Sequence, residues 1–150
     1  MTQPSSPKNS SEPPVYRYLD HTADLRVEIF GHDLAMLFEN AGFALFDMLA
    51  DSAGLSGGEE GEMTVEGEDL ADLMFNWLRA LLCFWTVKGR LVVSAQIVEI
   101  SETRLVARVR SDRYDADRHC LKTDIKAVTY HDLTVEPVED GWVARVVFDV

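Results

Sequence analysis

Two segments of this chain carry apolar residues at the three- and four-residue spacing of an amphipathic helix, and they constrain the fold more than any other feature. The first segment, residues 33–50, has the narrower apolar stripe, and Asp33 is placed to be its N-cap. The second segment, residues 69–87, has the wider stripe, and Gly89 follows it as a natural stop. A stripe as wide as the second is typical of a core helix packed on a sheet. Its residues are Leu70, Leu73, Met74, Trp77, Leu78, Leu81, Leu82 and Trp85.

Most of the remaining sequence alternates between apolar and polar residues, which is the period of β-strands. Polar turns at 101–103 and 139–141 join neighbouring strands into hairpins. The order β-α-β-α-β-β-β-β predicts an α+β domain with two helices packed on one face of a mostly antiparallel sheet. The predicted strands are 25–29, 63–66, 91–100, 104–110, 125–135 and 142–148.

The sequence outside these elements predicts a disordered N-terminal tail, residues 1–15, in front of one domain, residues 16–150. Four of the five prolines and four serines fall in the first fourteen residues, a composition that cannot bury enough apolar surface to become ordered. A second loose segment, 51–62, carries four glycines and is expected to be a mobile surface loop.

Composition and charge narrow the class of protein. The chain has 26 acidic and 14 basic residues, a net charge of −12 that repels phosphate backbones and favours cations or basic protein surfaces. No apolar run approaches the length of a membrane span. No secretory signal is visible, the two cysteines form no disulfide framework, and Cys83 is expected to be buried and inert, so we expect a cytoplasmic protein.

The end of the chain is the first candidate site. The last predicted strand is followed by Asp149 and by Val150, whose α-carboxylate lies beside the aspartate side chain. Neighbouring carboxylates suit a hard cation such as Ca²⁺ or Mg²⁺. The alternative is that both groups are simply solvated, as most terminal acids are.

The second candidate is the segment 20–24, Asp-His-Thr-Ala-Asp, directly before the first predicted strand. One interpretation is a turn in which Asp20 or Thr22 bonds the local backbone and His21 packs. The other is a site in which Asp24 supplies a carboxylate to a metal or a partner.

The third candidate is the basic segment 104–126, which contains seven of the fourteen basic residues and four acids. It is either the solvated face of a hairpin or a local basic patch that meets phosphate or acidic groups. His119 and Lys126 add titratable and donor groups, but no Ser-His-Asp arrangement, phosphate-binding glycine loop or zinc spacing accompanies them.

Taken together, these segments resemble the archease family. The resemblance covers nearly everything from residue 16 onward and includes His-Thr-Ala-Asp at 21–24, Lys-Ala-Val-Thr-Tyr-His at 126–131 and Phe-Asp-Val at 148–150. The other matching stretches are 37–41, 44–46, 73–82 and 118–119.

The resemblance implies a small α+β protein that assists an RtcB-type RNA ligase of tRNA splicing and RNA repair. It also implies that the protein binds a divalent metal, Ca²⁺ foremost, with Mg²⁺ or Mn²⁺ as alternatives. It implies that the protein promotes guanylylation and multiple turnover of the ligase and is not itself an enzyme. Carried onto this sequence, the metal ligands are Asp24, Asp149 and the terminal oxygens of Val150. His21, His119 and Lys126 are candidates for lining the pocket or contacting the partner.

Two other functions compete with this expectation. One is a metal-dependent phosphohydrolase in which Asp24 and Asp149 hold the ion and His119 or His131 acts as general acid. The other is a general chaperone of RNA-modifying enzymes, for which the apolar stripe of 70–85 would have to be exposed.

Overall fold

The computed structural model of the protein describes residues 14–20, 24–51 and 53–150. These residues form two helices, α1 (Leu34–Leu49) and α2 (Leu70–Thr86). The strands they form are β1 (Tyr16–Asp20), β2 (Leu25–Gly31), β3 (Glu59–Glu66), β4 (Arg90–Ile100), β5 (Arg104–Arg113), β6 (Ala127–Val138) and β7 (Gly141–Asp149).

The strands pair into two antiparallel sheets. The first has the order β1-β2-β7-β6 and the second the order β3-β5-β4. The hairpin of β6 and β7 brings the end of the sequence back against β2, with Val27 opposite Val146 and Leu25 opposite Phe148. Strands from the two ends of the described chain are therefore neighbours in the first sheet.

Each helix contacts both sheets. α1 packs on β2 and β7 of the first sheet and on β4 of the second, while α2 packs on β6 of the first sheet and on β3 and β4 of the second. The core residues Phe38 and Trp77 are fully buried, and Trp77 Nε1 donates a hydrogen bond of 2.8 Å to the carbonyl oxygen of Phe38. This bond fixes α2 against α1 in the middle of the core.

The helix boundaries follow from the capping residues. Asp33 and Asp69 are the N-caps of α1 and α2, and each side chain accepts a backbone hydrogen bond of 2.8 Å from the residue three positions later. Gly89 lies shortly after α2 with φ +65°, a conformation that glycine adopts without strain. Neither helix is long and apolar enough to cross a lipid bilayer.

The structure confirms the α+β class, the antiparallel strands and the predicted order of elements. It adds a first strand, β1, and it divides the strands into two sheets that the helices bridge. The predicted loop of 51–62 is wrong in its last four residues, because β3 already begins at Glu59. Cross-strand ion pairs compensate there for the missing apolar alternation, for example Glu60 with Arg108 at 3.2 Å.

The predicted burial of Cys83 is also wrong, since the thiol is exposed. Cys83 follows the buried stripe residues Leu81 and Leu82, and one further residue turns a helix by about 100°, away from the core. The predicted N-terminal tail lies outside the described residues, apart from Pro14 and Val15.

Candidate metal and partner-contact site

Asp24 and Asp149 come to the same end of the first sheet. β2 and β7 are antiparallel neighbours, and Leu25 lies opposite Phe148 at the end of their register. Asp24 immediately precedes Leu25, and Asp149 immediately follows Phe148. The two aspartates therefore occupy adjacent positions on neighbouring strands, although they come from opposite ends of the described chain.

The two carboxylates have no side-chain hydrogen bond and no ion pair with any other described residue. Asp24 is half-buried, Asp149 is exposed, and the adjoining Val150 is 43% exposed. Carboxylate oxygens that no basic side chain has engaged are free to act as ligands, and hard divalent cations prefer oxygen ligands. The chemistry of this donor set therefore fits Ca²⁺ or Mg²⁺.

Two acidic side chains alone are a sparse set of ligands. Among the residues whose side chains the structure describes, no group of three His, Cys, Asp or Glu side chains is close enough to hold a metal ion. A cation at Asp24 and Asp149 would need further oxygen ligands, such as backbone carbonyls or water.

Lys126 lies at the same end of the sheet. Its backbone N–H donates a hydrogen bond of 2.8 Å to the carbonyl oxygen of Asp149, while its exposed ammonium group pairs with Asp124 Oδ2 at 2.7 Å. The backbone of Lys126 is therefore bound to Asp149, while its ammonium group is bound to a different carboxylate. The third sequence candidate for this region, His21, lies outside the described residues.

His119 does not line an open pocket, because its side chain is fully buried. Its Nδ1 accepts a hydrogen bond of 2.9 Å from the backbone N–H of Asp115, so Nε2 carries the proton and donates at 3.1 Å to Asp112 Oδ2. With both ring nitrogens bound, His119 holds the segment 115–119 against β5. This structural role differs from the pocket-lining role that the family resemblance suggested.

Asp112 is the centre of this cluster. Burial raises the pKa of the Asp112 carboxyl, but hydrogen bonds from Arg118, from the backbone of Ser56 and from His119 outweigh that effect and lower the pKa to about 2. The carboxylate thereby connects the loop before β3, the end of β5 and the segment that leads towards Lys126.

We expect this cluster to make stability depend on pH in the acid range. The Asp112 carboxyl has a pKa of about 2 in the folded protein, against 3.8 for an unperturbed aspartate. It therefore stabilises the fold above about pH 4 and loses that contribution as the pH falls towards 2. Urea denaturation of wild type and Asp112→Asn should differ by about 1–2 kcal/mol near pH 6, and the difference should shrink as the pH falls from about 4 to about 2.

The matched control for this measurement is Asp117→Asn, which removes the same charge from an exposed aspartate two residues before His119. It should follow the wild-type pH profile. A constant difference between wild type and Asp112→Asn across the whole pH range would contradict the assignment.

Three arginines of the basic segment 104–126 are bound by other groups of the protein. Arg104 lies near Glu66 and Glu99, at 4.0 and 3.5 Å, and Arg108 pairs with Glu60 at 3.2 Å. Arg110 donates instead to the carbonyl oxygen of Gly57 at 3.0 Å. The structure therefore favours the solvated, ion-paired face of a sheet over a phosphate-binding surface.

One residue that supports the site escaped the sequence analysis. This residue is Glu28 of β2, whose side chain is only 4% exposed and lies between Arg17 of β1 and Arg145 of β7, each at 2.7 Å. Burial raises the pKa of Glu28, but the hydrogen bonds from Arg145 and Arg17 outweigh it and lower the pKa. The three residues lie opposite one another in the register, so they tie together the strands that carry Asp24 and Asp149.

The fold and the site define a small α+β domain with two acids at the end of one sheet. Its buried histidine, His119, has a structural role. Curated relatives of the chain include two proteins called archease. The one from Methanosarcina mazei is 35% identical over 139 residues, which cover 90% of this chain and 95% of the relative. The one from Pyrococcus abyssi is 35% identical over 140 residues, which cover 90% of this chain and 98% of the relative.

Two solved structures are similar in fold. The solution structure of Methanobacterium thermoautotrophicum protein 1598 superposes with a TM-score of 0.74 at 28% identity and covers 91% of this chain and 99% of that one. The crystal structure of an archease from Thermotoga maritima, described as a possible chaperone, gives a TM-score of 0.63 at 28% identity and covers 89% and 96%. The Archease protein family model matches residues 16–150, and the chain belongs to this family.

Proposed function

We propose that the protein is a metal-binding cofactor of an RtcB-type RNA ligase, without catalysis of its own, which promotes guanylylation and multiple turnover of the ligase. The observation that supports this proposal most is the adjacent placement of Asp24 and Asp149 at one end of the first sheet, in a chain of the archease family. The net charge of −12 supports encounter with a ligase whose RNA-binding surface is basic, because complementary charge speeds association.

In this proposal Asp24, Asp149 and the terminal oxygens of Val150 hold a divalent cation, Ca²⁺ first and Mg²⁺ or Mn²⁺ as alternatives. A bound cation offers a positive centre to oxygen atoms of a partner. The residues of the chain position it: Glu28 holds β2 and β7 together, and Lys126 fixes the backbone of Asp149. The ligase is the expected partner, and no direct contact with RNA is needed.

The two competing functions have less support. A phosphohydrolase with His119 as general acid is disfavoured because both ring nitrogens of His119 are bound inside the core. A chaperone that works through the stripe of α2 is disfavoured because Leu73, Met74, Trp77, Leu78, Leu81 and Leu82 are buried.

The proposal is tested by a ligation time course with an RtcB-type ligase from the same organism, at a ligase concentration far below that of the RNA. We expect this protein to raise the final product above the ligase concentration, and the ligase alone to stop near it. Asp24→Ala should remove the effect, because it deletes one of the two adjacent carboxylates.

The control for this test is Asp33→Ala, which deletes an exposed aspartate that caps α1 and takes no part in the site. It should stimulate ligation as the wild-type protein does. Full stimulation by Asp24→Ala, or no stimulation by the wild-type protein, would refute the proposal.

A further inference from the structure

A groove of about 400 Å³ runs between β3 and the C-terminal half of α2, on the second sheet and away from the acids at the end of the first sheet. Its apolar lining consists of Met63, Ala80, Phe84 and Val109, and the exposed thiol of Cys83 lies on its wall. None of these residues takes part in the function proposed above.

The groove exists because β3 carries a glycine where its neighbours carry side chains. Met63 and Val65 are partly or fully buried on the inner face of β3, and Gly61 is the preceding residue on that face. A Cβ atom at Gly61 would meet no atom within 4 Å, so the space beside it is open. An apolar side chain from outside the molecule can fill that space without displacing anything.

β3 also has one free edge. It is an outer strand of its sheet and pairs only with β5. Along 59–65, no backbone group of the outer edge bonds to any residue in the described part of the chain. A free edge beside an apolar groove is the arrangement that accepts an added strand, since the edge binds backbone and the groove binds alternate side chains.

The negative charge of β3 favours a basic strand as the one that is added at its edge. It carries Glu59, Glu60, Glu62 and Glu66 in eight residues. Three of these are near arginines, while Glu62 has no partner among the described residues. Of the two cations in the lining, Arg90 pairs with Glu59 at 2.9 Å and Lys88 lies over the ring of Phe84 at 4.9 Å.

A second copy of the chain does not fit this edge, because it would bring two glutamate-rich strands side by side. We propose that the groove beside β3 binds an extended segment of a partner protein in which apolar and basic residues alternate. The segment pairs with the edge of β3. It places an apolar side chain over Gly61 and a basic side chain near Glu62. This docking surface is independent of the metal site and of the identity of the ligase.

The test uses the full-length protein and a blocked peptide as long as β3 in which valine and lysine alternate. The readout is the alkylation rate of Cys83, followed by mass spectrometry, with the exposed Cys120 outside the groove as internal reference. At a peptide concentration about ten times Kd, alkylation of Cys83 should slow about tenfold, because only the free protein reacts, while Cys120 should react at an unchanged rate.

Two peptides and two variants complete the experiment. A valine–glutamate peptide should not protect Cys83, and neither should a lysine peptide with prolines at the valine positions, which has the same charge but cannot pair with an edge. Gly61→Val fills the groove and raises strand propensity, so it should fold and lose the protection. Glu62→Gln should weaken the protection of Cys83 by the valine–lysine peptide. Equal protection by the proline or glutamate peptide, retained protection in Gly61→Val, or no protection by the valine–lysine peptide would overturn the proposal.

Discussion

The Trp77→Ala variant is expected to lose about 3–5 kcal/mol of the free energy of unfolding, the largest stability effect of any substitution considered. Trp77 is fully buried and donates its indole N–H to the carbonyl oxygen of Phe38. The substitution removes the largest buried side chain, leaves a cavity between α1 and α2, and removes a hydrogen bond in the interior.

Urea denaturation followed by far-UV circular dichroism measures this loss, because the other tryptophans confuse a fluorescence readout. The matched control is Phe43→Ala, which truncates an aromatic side chain of α1 that is 53% exposed and should cost about 1 kcal/mol or less. Trp77→Phe should fall between the two, since it retains much of the buried volume. A cost below about 1 kcal/mol for Trp77→Ala would mean that the α1–α2 contact is not the centre of the core.

The helices could be predicted because their signals are local. The stripe residues, the N-caps Asp33 and Asp69 and the stop at Gly89 all lie within a few residues of the structure that they specify. The start of β3 could not be predicted in this way, because Glu59 and Glu60 are stabilised by Arg90 and Arg108 from other strands. β1 was missed for a related reason, since its residues are mostly exposed and Arg17 depends on Glu28.

The candidate site shows the same division between local and distant signals. Each acid could be singled out by its neighbours in sequence, but their adjacency depends on the pairing of β2 with β7, which residue patterns do not encode. The resemblance to a family supplied that link. The structural role of His119 was missed because its partner Asp112 lies on a different element, and a buried histidine cannot be told from an exposed one by spacing alone.

The Asp149→Ala variant is expected to show the largest functional effect, a loss of at least about tenfold in affinity for Ca²⁺, because charged oxygen ligands set the affinity of such sites. Isothermal titration calorimetry with CaCl₂ on the otherwise unchanged protein measures it directly. The control is Asp140→Ala, which removes an equal charge from the exposed turn before β7. If the overall negative charge of the protein attracted the ion, both variants would weaken binding equally, and the assignment of Asp149 as a ligand would be wrong.

The same titration tests the terminal oxygens of Val150. Asp149 is the last residue of β7, and its carbonyl oxygen is held by the backbone N–H of Lys126 at 2.8 Å, so the position of Val150 is restricted by the residue before it. Adding a glycine after Val150 keeps every side chain and moves the free carboxylate one residue further, and it should weaken Ca²⁺ binding about as much as Asp149→Ala. Unchanged affinity in the extended protein would remove Val150 from the ligand set and leave the two aspartates to bind the ion with water.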